Sequence, residues 1–249
     1  MVYDDLLTNS SVWGRLWGVS VGPGDSEWLT LKGLRILQTV DVVACPQNRQ
    51  GQPGMAYNIV KSHLRPEQTI LPLDLPFVRD PVQLQQAWRL AGEKLVPLLA
   101  QGQNVAFITE GDASLYSTFS YVAQSVHRLA PVVEITTIPG VCSPLAAMAA
   151  LNRPLSLGAE KIAILPALYD VSELTRALEW AEVVVLMKVS SVFGQVWHTL
   201  KETDLLEHAS LVERVGLPEE KQYPTLVNLA DYKPPYFSIL IVRRYDYRF

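Results

Sequence analysis

Apolar residues along the first 150 positions fall in short β-branched runs separated by longer stretches with helical spacing. That alternation predicts strand-helix-strand units and a largely parallel sheet. Strands are expected at residues 15–21, 41–45, 69–73, 104–109 and 132–138. Between them Trp28, Leu31, Leu34, Ile36 and Leu37 recur at helical spacing, as do Leu84, Trp88, Leu95 and Leu98, so two helices are expected there. Residues 46–54 carry neither period and are dense in turn formers, which predicts a loop long enough to cover something.

A second block begins near Ala159, with core runs at 161–165, 183–187, 205–212 and 236–242 and helical patterns at 171–181 and 192–201. From Tyr223 onward the text turns strand-like and rich in Tyr and Pro, so this block is expected to form a second α/β domain with a mixed, more antiparallel sheet. The pattern therefore predicts two α/β domains, 1–130 and 131–249, with 1–12 as a tail. Apolar runs such as 144–151 and 183–187 are far shorter than the ~18 residues a membrane-spanning helix needs. No basic region precedes the apolar residues at the N-terminus, so a cytoplasmic protein is expected.

Composition narrows the function. The 249 residues carry 21 basic and 25 acidic side chains, a net charge of −4, which gives no general attraction to nucleic acid. Two cysteines, Cys45 and Cys142, lie too far apart in sequence for a thiolate zinc motif, and the four histidines show no paired ligand spacing, so no protein-bound metal is expected. Between Lys32 and Lys94, eight bases stand against five acids, a local excess of three that suits either a solvated face or a wall for a polyanionic small molecule.

Three turns hold the candidate chemistry. Residues 18–25 read Gly-Val-Ser-Val-Gly-Pro-Gly-Asp at the end of the first strand. The dinucleotide fingerprint needs Gly-x-Gly-x-x-Gly so that backbone amides reach a pyrophosphate; Pro23 removes a donor and no third glycine follows in place. A rigid wall against a different ligand fits better. The second turn, Glu110-Gly111-Asp112-Ala113-Ser114-Leu115-Tyr116-Ser117-Thr118, follows the apolar run 105–108, and the third, Pro139-Gly140-Val141-Cys142-Ser143, opens an Ala-rich helix. Strand C-termini in a parallel sheet are where ligands bind. Asp25 reads either as a helix cap or as a carboxylate near a substrate.

These segments, with Val184-Val185-Leu186-Met187-Lys188 and Glu213-Arg214-Val215-Gly216-Leu217-Pro218-Glu219-Glu220, occur in the order found in the tetrapyrrole (corrin and porphyrin) methyltransferases, which the chain resembles over about residues 14–244. Residues 111–121, Ile164-Leu165-Pro166-Ala167 and Met187-Lys188-Val189 are most similar to the branch that acts on carbon 20. Ala113 stands where that family more often has Pro, and Cys142 where it has Ser or Thr.

The resemblance implies a homodimer of two-domain chains, S-adenosylmethionine as methyl donor in the cleft between domains, and precorrin-2 or cobalt-precorrin-2 as acceptor. It places Pro23, Glu110, Gly111, Asp112, Leu115, Tyr116, Ser117, Cys142, Ser143, Met187, Val215, Gly216 and Leu217 against the cofactor. Arg49, Arg79 and Lys188 are expected to meet substrate carboxylates, because a cation is needed beside each, and Tyr232 to stack on the ring. Asp25 and Tyr236 are the catalytic candidates.

Overall fold

The computed structural model describes residues 12–48, 50–76, 78–167 and 170–245. The chain divides into two compact units, Met1–Val141 and Cys142–Phe249. The division falls beyond the expected position near 130 because the strand at Ile135–Ile138 bonds to Leu16–Val19 and completes the first sheet.

In the first unit, strands β1 (Leu16–Ser20), β2 (Val42–Pro46), β3 (Thr69–Leu73), β4 (Val105–Thr109) and β5 (Ile135–Ile138) form an all-parallel sheet in the order β3-β2-β4-β1-β5. β4, Val-Ala-Phe-Ile-Thr, is buried along its whole length, as a central strand covered on both faces must be. Helices α1 (Leu31–Leu37) and α2 (Met55–Val60) lie with Val19, Val43, Ala106 and Ile108 in one core. Helices α3 (Pro81–Ala100) and α4 (Phe119–Leu129) lie with Leu16, Val42, Val105 and Phe107 in another, on the opposite face. The connections after β1 and β4, adjacent strands, thus leave to opposite sides. In an open parallel sheet this divergence marks the ligand crevice.

Local chemistry explains the boundaries. Asp80 caps α3 by accepting from Val82 N at 2.8 Å, and Pro81 supplies the preset first-turn φ. The expected helix spanning Trp28 to Leu37 is broken: Asp25 caps a single 3-10 turn at Ser26–Trp28, and Thr30 then starts α1 by accepting from Gly33 N at 3.0 Å. α2, directly after the 46–54 loop, carries no side-chain cap and was not legible in the pattern.

The second unit holds β6 (Ile162–Leu165), β7 (Val183–Met187), β8 (Ala209–Glu213), β9 (Lys221–Tyr223) and β10 (Ser238–Arg243) in the order β6-β7-β10-β8-β9. β6 and β7 are parallel; β10 runs antiparallel to both β7 and β8. Helix α5 (Ser143–Ala150) packs against β10, while α6 (Ser172–Trp180) and α7 (Phe193–Glu202) share a core with alternate residues of β7, β8 and β10. Arg243 bonds Glu160 at 2.8 Å with both side chains buried and also reaches the carbonyls of Pro154 and Leu155, which fastens the 154–160 segment to the last strand.

Two expectations change. The apolar run 205–212 is a 3-10 turn at Leu206–His208 followed by β8, and most of the stretch after Tyr223 is not strand, because Pro224, Pro234 and Pro235 each lack a ladder donor. No helix among the described residues is long and apolar enough to cross a membrane.

Candidate functional site

The divergence point of the first sheet is tied together by the turns singled out in the sequence. Gly22 and Gly111 exchange backbone hydrogen bonds, Gly22 N to Gly111 O at 3.2 Å and Gly111 N to Gly22 O at 2.9 Å. Both have left-handed backbone, φ +74° and +67°, which a side chain disfavours. Ser20, buried at the end of β1, donates through Oγ to Ile138 O at 2.6 Å and accepts from Ala113 N at 2.8 Å, so one hydroxyl joins the ends of β1, β4 and β5. Gly140 packs so closely that a Cβ there would sit 2.4 Å from Ser20 Cβ.

Asp112 completes the knot. Its carboxylate accepts from Ser114 N and Gly140 N, both at 2.7 Å, and from Ser114 Oγ. Burial works against the charge, but these donors outweigh it and hold the carboxyl below its usual value. Such a group stabilises the fold above the unfolded carboxylate pKa, near 4, and the contribution is lost as pH falls through the lower folded value. Asp112→Ala is therefore expected to cost about 2 kcal/mol at pH 7, from the loss of charge-assisted hydrogen bonds. The gap from wild type should narrow below pH ~4, and thermal melts across pH check this; a gap constant with pH would refute it.

Glu110 accepts from Ala56 N at 3.0 Å, linking β4 to α2. Burial raises its pKa despite that donor. Cys45 lies fully buried in the same core, and burial, opposed by a bond from Gly54 and reinforced by the Glu110 charge, pushes its thiol up to about 11, so it is an inert packing group. Ser117 donates to Thr109 Oγ1 and accepts from Phe119 N, each at 3.1 Å, which sets the start of α4. Tyr116 is exposed with φ +52°, and Leu115 and Pro23 are half-buried. Asp25 spends one carboxylate oxygen on Glu27 N at 2.8 Å: the helix cap is real.

The second unit gathers its share on one sheet edge. β6, β7 and β8 end on the side where β10 begins, so Met187, paired with Ile239, and Glu213, paired with Ser238, are neighbours across β10. Met187 is half-buried; Val215 is buried beyond β8, and Gly216, φ +77°, donates to Glu220 at 2.7 Å while Leu217 N bonds Arg214 O at 2.9 Å. Lys188 is exposed with φ +55°. Cys142 and Ser143 open α5, with Cys142 at the cap position but making no side-chain cap bond.

The proposed substrate contacts divide. Arg79 is exposed in the connection between β3 and α3. Arg49 lies outside the described residues. Tyr232 is placed away from a stacking role: it packs against the second core, edge-on to Phe193, and accepts from the Tyr223 hydroxyl at 2.8 Å. Burial, Tyr223 and the adjoining Glu213 carboxylate push its phenol well above the usual range. Tyr236 is exposed and stands edge-on to Phe237 at 5.3 Å. Among the described residues no group of three or more His, Cys, Asp or Glu is placed to hold a metal ion.

Sequence reasoning passed over Ser20, Arg214 and Phe237. Ser20 left a signal, a lone hydroxyl between Val19 and Val21 in an otherwise apolar strand end.

The architecture is a parallel α/β unit with glycine turns at its strand ends, followed in the chain by a mixed α/β unit. The chain belongs to the Tetrapyrrole (Corrin/Porphyrin) Methylases, whose pattern matches residues 15–230. It is 30% identical over 232 residues to the cobalt-precorrin-2 C(20)-methyltransferase of Salmonella typhimurium, covering 93% of this chain and 97% of that protein. It is 30% identical to the precorrin-2 C(20)-methyltransferase of a Sinorhizobium species, covering 92% and 95%. Its fold matches uroporphyrin-III C-methyltransferase of Thermus thermophilus complexed with S-adenosylhomocysteine, at a TM-score of 0.64 and 18% identity, covering 92% and 97%.

Proposed function

We propose that the protein transfers a methyl group from S-adenosylmethionine to carbon 20 of precorrin-2 or cobalt-precorrin-2. The observation that carries this is the knot of Ser20, Gly22, Gly111, Asp112 and Gly140 at the divergence point of a parallel sheet, in a chain that resembles C(20)-methyltransferases over nearly its whole length.

The cofactor fits the residues present. In the first unit left-handed glycines bring backbone rather than side chains to the loop surface; in the second, Met187 and Leu217 are half-buried apolar side chains. Pro23, Glu110 to Ser117, Cys142, Ser143, Met187 and Val215 to Leu217 would hold it. When bound, it supplies an electrophilic methyl on a sulfonium. The protein's task is then positional, holding the acceptor carbon in line at near-attack distance. Ser20 and Asp112 serve this by fixing the loops: Ser20 bonds to both Ile138 O and Ala113 N, and Asp112 ties its own loop at Ser114 to the next at Gly140, which preorganises the turns. Asp25, committed to its cap, shapes the turn beside Pro23.

Calorimetric titration with S-adenosylhomocysteine is expected to give micromolar affinity, about −8 kcal/mol. Anaerobic incubation with labelled donor and precorrin-2, with and without cobalt, should then label the ring at carbon 20. Label at another carbon, or none in a protein that binds the cofactor product, would overturn the assignment. The same reading takes the enzyme as a cytoplasmic homodimer, and sedimentation of the purified protein checks the oligomeric part.

A further inference from the structure

Five non-glycine residues among those described have left-handed backbone: Tyr116, Asn152, Lys188, Asp204 and Arg214. Asn and Asp adopt it readily, whereas the other three are bulky residues for which it is unusual. All three lie in connections that follow a strand end, after β4, β7 and β8. Strain of this kind persists only where the surroundings enforce it, and it clusters at ligand sites.

Two of the three are cations on one sheet edge. Lys188 follows Met187, which pairs with Ile239; Arg214 follows Glu213, which pairs with Ser238. β10 lies between them, so their backbones stand about 10 Å apart, two strand spacings. Both side chains are exposed, and neither has a partner among the described residues. Tyr236 and Phe237 precede β10, 42% and 40% exposed, and Arg214 N bonds Phe237 O at 2.8 Å. The segment entering β10 thus carries two exposed aromatic rings on the sheet edge that also holds Met187, Lys188 and Arg214.

We propose that Arg214 and Phe237, acting with Lys188 and Tyr236, grip the acceptor: the rings meet the face of a flat macrocycle and the cations bind carboxylates at separate points on its rim. This rests on the acceptor being an acidic tetrapyrrole. Two exposed cations on one sheet edge suit an acceptor with more than one acidic group, and the guanidinium of Arg214 suits a carboxylate bidentately. Exposed aromatic rings on the same edge favour a planar partner over a flexible polyacid.

Uroporphyrin III, a stable tetrapyrrole bearing carboxylate side chains, serves as probe by fluorescence titration, with S-adenosylhomocysteine titrated in parallel. Arg214→Gly removes the cation while suiting the left-handed backbone, so the turn should survive. It is expected to weaken uroporphyrin binding about tenfold or more, the size of one charge-assisted hydrogen bond, with cofactor-product affinity changed less than about twofold. Phe237→Ala should weaken the tetrapyrrole alone, and Phe237→Trp should restore it. If wild type binds uroporphyrin and Arg214→Gly and Phe237→Ala bind it equally well, the grip is wrong and the tetrapyrrole reading stands. If wild type binds the cofactor product but no tetrapyrrole, the reading beneath the grip falls with it.

Discussion

Gly111→Arg is expected to abolish measurable binding of S-adenosylhomocysteine, a loss of at least about a hundredfold, while the protein stays folded. Gly111 stands at the divergence point of the first sheet, exchanging two backbone bonds with Gly22. Its left-handed φ of +67° would cost a side-chain-bearing residue only about 1–2 kcal/mol. For a chain of this size that is a loss of roughly 4 °C in Tm, because the half-exposed position gives the new side chain somewhere to go other than the core. That somewhere is the surface on which the ligand would lie. Gly111→Ala separates the two effects: it carries the same backbone strain and almost none of the bulk, so it should melt like Gly111→Arg yet keep most of the affinity. Unchanged affinity in Gly111→Arg would mean that the cofactor lies elsewhere.

The architecture was legible where a residue's chemistry is local. Alternation of β-branched and helical runs placed all five strands of the first sheet, most plainly the central β4, which is apolar and buried along nearly its whole length. Gly22, Gly111 and Gly140 stood out as glycines at strand ends; the first two have left-handed backbone, while at Gly140 it is the close approach of Ser20 that leaves no room for a side chain. What was not legible depends on register. Nothing in the text says that β10 threads between β7 and β8, yet only that order sets Arg214 and Phe237 beside Lys188. The surroundings of Tyr232 were hidden for the same reason: a Tyr in a Pro-rich stretch gives no sign that Tyr223 and Phe193 lie against it. The domain boundary slipped because β5, the last strand added to the first sheet, begins only after the end of α4.

Gly18→Ala carries the largest expected loss of stability. Gly18 sits in the middle of β1, between β4 and β5, and a Cβ there would lie 2.1 Å from Phe119 Cε1, with two more ring carbons at 2.4 Å. Phe119 cannot swing away: it is 2% exposed and packs against Phe107 at 5.8 Å. Overpacking of this kind costs about 1–3 kcal/mol, here at the upper end because strand and ring are both fixed, so Tm should fall by roughly 6–12 °C. The consequence reaches function because Phe119 is the first residue of α4. Its backbone nitrogen bonds Ser117, whose hydroxyl bonds Thr109, so strain that the fixed ring cannot relieve passes to the start of α4 and the end of the Glu110 to Thr118 loop. Cofactor-product affinity should therefore fall along with Tm, unlike the pattern for Gly111→Ala, where strain stays local. Phe119→Leu in the Gly18→Ala background removes the colliding ring atoms, and the double variant should be more stable than the sum of the single losses predicts. Strict additivity of the two would show that the close approach of α4 to β1 is not what glycine at position 18 provides.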